Sequence, residues 1–278
     1  MATTTKFRMV AFDLDGTLLG PTHQISEDAV QYLRSLHERG FIVSIATGRS
    51  PAAIAEVIRQ LNFDFPKPHS KSFPVVSTNG AKGLHVSHGS FLEDLEEERQ
   101  QQLMSKSKSK SKSKSNGEQP LELKWENNPM VDGRMQITEM FHQPVPKDLA
   151  HKALKLAMGM GCPVNYYIGH DIYAQLFEDW NLEATQKYSN LTGVKFTYCK
   201  DEYREAMGLG LPSKLLVLCK PEDIDTTYQK IDEALGHELK IIRGSPPFFV
   251  EILNKDVCKG NGLELLCQKL GVGLHECM

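Results

Sequence analysis

The chain has 278 residues, 40% of them hydrophobic and 24% charged, which at about 150 residues per domain is enough for roughly two domains with buried cores of their own. Its 32 basic and 35 acidic side chains leave a formal charge of −3, so no global field marks a nucleic-acid or membrane-surface binder. Five lysines sit in residues 105–115, and the remainder, with 27 basic against 35 acidic residues, is mildly acidic.

The first eighty residues alternate strand-like and helix-like patterns, which predicts βαβ units and a parallel sheet. Residues 7–12 form a short apolar run. Ser26 is placed to cap a helix with an apolar stripe of Ala29, Val30, Leu33 and Leu36, ended by Gly40. Residues 41–46 read as the second strand. Ser50-Pro51 is a helix start, followed by Ile54, Val57, Ile58 and Leu61 at helical spacing. Residues 74–78 read as the third strand, ending in Asn79-Gly80, a dipeptide that favours positive φ and a tight turn.

Beyond Gly83 the pattern changes. The repeat of Ser and Lys at 105–115 cannot bury enough apolar surface to order itself, and a solvated, disordered loop over 105–117 is expected, with nucleic acid or anionic lipid as less favoured partners for its lysines. Strands follow at 134–141, 163–168 and 214–219, with helices at 146–160 and 221–235; Ile224, Tyr228, Ile231 and Leu235 share one face of the latter. This predicts a second, α+β domain. Residues 248–253 read as a further strand, and a last helix from Asn261 carries Leu263, Leu266, Cys267 and Leu270 before Gly271.

The apolar runs are far shorter than the about 20 residues that cross a bilayer, and the stretch 9–12 stops at Asp13 before a secretory core can form. No prenylation or peroxisomal signal is legible at the C-terminal end. A cytoplasmic protein is therefore expected. Six cysteines without C-x-x-C spacing, in a chain too long to need a disulfide framework, predict reduced thiols.

Asp13-Leu14-Asp15-Gly16-Thr17 lies at the C-terminal end of the first predicted strand, where open α/β sheets place their ligand crevice. Two carboxylates two residues apart can serve one pocket, one as nucleophile and one as acid and base. Gly16 lets the backbone turn so that neighbouring N–H groups can face an oxyanion. The bland alternative, of comparable weight on these residues alone, is an Asx-type turn in which Asp15 satisfies local amides. An EF-hand loop fails, because glycine comes fourth rather than sixth and no glutamate stands twelfth. His85 and His88 lack a third zinc ligand, and Gly208-Leu209-Gly210 and Gly260-Asn261-Gly262 lack the third glycine of a dinucleotide fingerprint. Trp125, Tyr166, Tyr167, Tyr173 and Trp180 are candidates to stack on a substrate, with core or surface packing the preferred reading of each.

Taken together, FDLDGTLL, ATGR, NGA and VEILNKDVCKG, in that order, resemble the haloacid dehalogenase superfamily. The large segment between NGA and the lysine resembles the Cof-type (IIB) phosphatases, which carry a C2 cap there. The resemblance implies an α/β fold, a Rossmannoid parallel-sheet core with an inserted α+β C2 cap, here 1–83 plus 250–278 for the core and 84–249 for the cap. It implies a Mg²⁺-dependent phosphomonoester hydrolase acting on a small phosphorylated metabolite, such as a sugar phosphate or phosphorylated cofactor. Asp13 becomes the nucleophile that forms an aspartyl-phosphate, and Asp15 the acid and base. Thr47 donates to phosphoryl oxygens, with a helix-start hydroxyl as its alternative. Lys259 balances charge, with a solvent lysine as its alternative. Gly16, Thr17, Gly48, Arg49, Asn79 and Gly80 line the substrate mouth, and Mg²⁺ is held by Asp13 and the carbonyl of Asp15.

The family's fourth motif, a Gly-Asp pair followed by Asn-Asp, is not found after residues 263–272, and Glu276 lies in no matching context. The strand carrying that motif flanks the first strand, so an unpaired edge along 7–12, lowered stability and weak Mg²⁺ binding are expected. Two other readings stay open: a catalytically impaired form that binds a phosphorylated ligand, and an interaction module using the cap and the lysine-serine loop. A phosphomannomutase-like transfer is a further enzymatic variant.

Overall fold

The computed structural model describes residues 7–20, 24–61, 72–88 and 135–278. The segment 105–117 and Trp125 lie outside them. Two sheets organise the rest.

The first sheet has the order β1 (Met9–Phe12), β2 (Ile42–Ala46), β3 (Ser72–Ser77), β4 (Lys82–His88), β5 (Met135–His142). β1, β2 and β3 are parallel, as the alternating pattern predicts, while β4 and β5 continue the sheet antiparallel. Helix α1 (Glu27–Glu38) begins at Ser26, whose Oγ accepts the Ala29 N–H at 3.2 Å. It buries Leu33 and Leu36 against Val43 and Ile45, with Ile54, Val57, Ile58 and Leu61 of α2 (Pro51–Leu61) in the same cluster. The strands' opposite face is covered by the last helix, α7 (Lys259–Leu270), whose Leu266 and Cys267 pack with Met9, Ala46 and Val76. Gly271 ends α7 at φ 64 in the left-handed region, where glycine carries no Cβ penalty. Helix α7 starts two residues before the sequence reading places it, so Lys259 is its first residue.

The second sheet has the order β10 (Leu239–Arg243), β11 (Phe249–Asn254), β9 (Lys214–Leu218), β6 (Val164–Ile168), β7 (Asp171–Ala174), β8 (Phe196–Tyr198). Helices α3 (Lys147–Gly159) and α6 (Ile224–Leu235) cover one face, burying Ala150, Leu154, Ile231 and Leu235 on Tyr166, Leu215, Val217, Val250 and Ile252. The alternate residues, Tyr167, Leu216, Leu218 and Phe249, turn to the other face with Tyr188 of α4 (Asp179–Thr192) and Ala53 of α2. A short helix α5 (Arg204–Leu209) adds Ala206 to the first cluster.

Three features differ from the sequence reading. β5, read as part of the second domain, hydrogen-bonds to β4 in the first sheet, and residues 249–254 join the second sheet rather than returning to the first. Local pattern fixes that a segment is a strand, not which sheet it joins. The outer edge of β1 is also partly paired. Arg8 N–H donates to Glu276 O at 2.9 Å, Met278 N–H to Met9 O at 3.0 Å and Ala11 N–H to Met278 O at 2.8 Å, with a parallel bridge from Met9 to Cys277. The Glu276 carbonyl, at the end of a 3-10 turn over Leu274–Glu276, and the extended Cys277 leading into Met278 satisfy these edge groups, which periodicity over so few residues cannot reveal. All six cysteines are free thiols, as their spacing predicts, and among the described residues no helix is long and apolar enough to cross a membrane.

Candidate active site

Three loops at the C-terminal ends of β1, β2 and β3 converge with the start of α7. After β1 the chain turns through Gly16 at φ 77, which only glycine adopts cheaply. Leu18 and Leu19 N–H groups donate back to Asp13 O and Leu14 O, so the turn closes on itself and leaves Asp15, Gly16 and Thr17 exposed. Asp13 is 40% exposed. Its Oδ1 accepts the Leu14 N–H at 2.8 Å, and its Oδ2 accepts from Lys259 Nζ at 2.7 Å. Asp13 thus bonds a local amide. The Asp13–Lys259 pair joins residues 246 positions apart.

Lys259 opens α7, where the Cys258 Sγ accepts the Asn261 N–H at 3.3 Å. A lysine beside the positive end of a helix is electrostatically unfavourable unless an anion answers it, and Asp13 is that anion. Gly80, at φ 109, lets the backbone of the β3–β4 turn press against Cys258; a Cβ at Gly80 would overlap the Cys258 carbonyl. The close approach sets the height of α7 above the strand ends.

Thr47 is fully buried after β2. Its Oγ1 accepts the Arg49 N–H at 3.2 Å, so this hydroxyl serves the turn into α2. Thr47 O accepts the Asn79 N–H at 3.0 Å, and Arg49 O accepts the Thr78 N–H at 2.9 Å, tying the β2 and β3 loops together. Thr78 and Asn79 both take positive φ, 53 and 60, a strain that clusters at functional sites. Arg49, expected only to line the mouth, forks onto Asp15: Nη2 donates to Oδ1 at 2.7 Å and Nε to Oδ2 at 3.1 Å. The Asx-type alternative for Asp15 gives way to this ion pair.

Sequence reading missed two charged residues. Lys214, on β9, is 3% exposed and pairs with Glu251 Oε1 of β11 at 2.6 Å. Burial alone would lower the Lys214 pKa, but the Glu251 charge and hydrogen bond outweigh it and the net shift is upward. Glu251 Oε2 accepts from Asn79 Nδ2 at 2.7 Å. Both residues line a cavity of about 330 Å³ between the two sheets, with Asp15, Arg49, Tyr188 and Phe249 in its wall, a volume at the small end of ligand sites. Asp13, Thr47 and Lys259 are not in that wall, so the cavity opens beside Asp15 rather than over Asp13. Of the aromatic residues considered for stacking, Tyr167 lines it, Tyr166 and Tyr173 lie in the α3–α6 core, and Trp180 packs against that core.

Among the described residues no three His, Cys, Asp or Glu side chains gather as a metal cluster, and His85 stands on β4 without such partners. Asp13 and Asp15 bring hard oxygens to the end of β1. This set suits Mg²⁺, which takes one or two carboxylates and keeps several waters.

A family model for haloacid dehalogenase-like hydrolases matches residues 10–117 and 132–278. The chain is 19% identical over 272 residues to YxeH of Bacillus subtilis, covering 98% of this chain and 79% of that protein. It is 34% identical over 90 residues to the HMP-PP phosphatase of Cronobacter sakazakii, covering 32% of this chain and 30% of that one. Its fold is similar to the crystal structure of TM0651 from Thermotoga maritima, with a TM-score of 0.66 and 20% identity over 98% of this chain and 78% of that one. The subclass IIB sugar phosphatase BT4131 superposes with a TM-score of 0.58 at 16% identity, over 98% and 79%.

Proposed function

Because this chain belongs to the haloacid dehalogenase-like hydrolases, Cof-type, and is a phosphatase of that family, we propose that it hydrolyses a small phosphomonoester through an aspartyl-phosphate on Asp13. The reading rests chiefly on one observation: a half-open carboxylate at a parallel-strand end, bonded at 2.7 Å to a lysine that opens a distant helix. Asp13 Oδ attacks phosphorus while the bond from phosphorus to the leaving oxygen breaks, and Asp15 gives that oxygen its proton. Water then attacks the phosphorus of the mixed anhydride. Asp15 takes the water's proton, Asp13 returns as carboxylate, and inorganic phosphate leaves.

Asp15 begins this cycle held by Arg49. Its acid role requires the guanidinium to move to the incoming phosphate, which offers the same two-oxygen geometry. Thr47 orders the loop that carries Arg49, and Lys259 offsets the charge gathering on Asp13 and the phosphoryl group. Gly16, Thr17, Gly48 and Gly80 line the mouth with backbone, and Asn79 joins them with its side-chain amide turned to Glu251. Mg²⁺ held by Asp13 and the Asp15 carbonyl would neutralise phosphate charge. The cavity beside Asp15 takes the leaving group, and its size favours a sugar phosphate or a phosphorylated cofactor. Release of phosphate from a phosphomonoester such as p-nitrophenyl phosphate in the presence of Mg²⁺, abolished by Asp13→Asn, tests the proposal; equal release by the variant contradicts it.

A further inference from the structure

Lys214 and Glu251 stand on neighbouring strands of the second sheet, on the face that alternation turns away from the α3–α6 core and toward the first sheet's loops. A buried ammonium is tolerated only with close partners, and Lys214 has three: Glu251 Oε1 at 2.6 Å, the Gly48 carbonyl at 3.4 Å and the Tyr167 ring at 4.9 Å from its centroid. Glu251 spends its other oxygen on Asn79 Nδ2 at 2.7 Å. One arm of the pair therefore reaches the loop after β2, and the other reaches the loop after β3. Those loops are themselves joined through Asn79 N–H to Thr47 O and Thr78 N–H to Arg49 O. Gly48 is pressed so closely to Asn79 that a Cβ would overlap its Oδ1. Arg49, next in the chain, holds Asp15.

Resting on the phosphatase reading, we infer that Lys214 and Glu251 are positioning residues: a clamp by which the second sheet fixes the loops bearing Thr47, Arg49 and Asn79, and through them Asp15. A buried ion pair is weak evidence of a stabilising device, since apolar replacement of both partners is often neutral. What an apolar pair cannot do is bond Gly48 O and Asn79 Nδ2.

The test uses the full chain with Lys214→Met and Glu251→Leu combined. Thermal melting reports the fold, hydrogen exchange reports the amides of 47–50 and 78–80, and p-nitrophenyl phosphate hydrolysis with Mg²⁺ reports chemistry. The clamp predicts at least about tenfold faster exchange at those amides with that of α3 and α6 unchanged, and kcat lower by about 10²-fold, a larger change than in KM. Should the double variant not fold, Asn79→Ala removes one arm and leaves the ion pair in place, and faster exchange at 47–50 is again expected. A folded variant with wild-type exchange at both loops overturns the clamp. Wild-type protein that releases no phosphate from p-nitrophenyl phosphate defeats the phosphatase reading instead, while the exchange comparison still decides the clamp.

Discussion

Asp13 and Lys259 bond at 2.7 Å with about two-fifths of each side chain open to water, so the pair adds little to folding, as exposed ion pairs contribute about 0–1 kcal/mol. Its placement matters for charge that develops during reaction. Lys259→Ala is therefore expected to lower kcat by about 10²–10³-fold, the scale on which loss of one preorganised electrostatic group is felt, while urea unfolding moves by less than about 1 kcal/mol. A loss of stability without a loss of turnover contradicts this. Gly80 shows the opposite balance. Its φ of 109 and the overlap of any Cβ with Cys258 O leave Gly80→Ala no relaxed conformation, and a loss of about 2–3 kcal/mol in urea unfolding is expected. These two residues were legible to different degrees. The Asn79-Gly80 dipeptide announces a turn by backbone chemistry alone, whereas Lys259 draws meaning only from a partner 246 positions away, and the resemblance pointed to it before the fold did.

At the level of elements, β5 carries a pH-sensitive contact with the second sheet. His142 Nε2 lies 3.0 Å from Ser213 Oγ. Burial, helped by the Lys82 charge and opposed by Glu139, lowers its pKa to about 4; His170 falls to about 3 through burial and Lys82. A folded pKa below the unfolded value means that the unfolded chain takes up the proton first. Stability is whole above about pH 6.5 and is lost as pH falls toward 4, by up to about 3 kcal/mol for His142. Replacing the ring through His142→Gln should flatten urea midpoints against pH between 6.5 and 4, and an unchanged slope contradicts the assignment. The charged groups facing this contact, Lys82 and Glu139, pair at 2.7 Å. Elements such as α1 and α2 were readable because cap residues and a 3.6-residue stripe mark them locally. The sheet membership of β5 and β11 was not, since pairing partners are chosen by tertiary packing.

Across the whole molecule, two sheets meet at one loop cluster, and the charged residues that join them were the least legible part of the sequence. Lys214 opens an apolar strand run and reads as its polar flank, and Glu251 sits inside one and reads as an interruption; a buried charge in such a place is itself the signal, because it demands a partner. With six free thiols, melting temperature should be insensitive to reductant, and a drop on adding dithiothreitol would contradict the thiol assignment. The proposed reaction turns on covalent chemistry at Asp13. Incubation with acetyl [³²P]phosphate and Mg²⁺, acid quench and peptide mapping should place a hydroxylamine-sensitive label on the peptide containing Asp13, absent from Asp13→Asn. Phosphate release by wild-type protein with no such label, or with the label elsewhere, would contradict it.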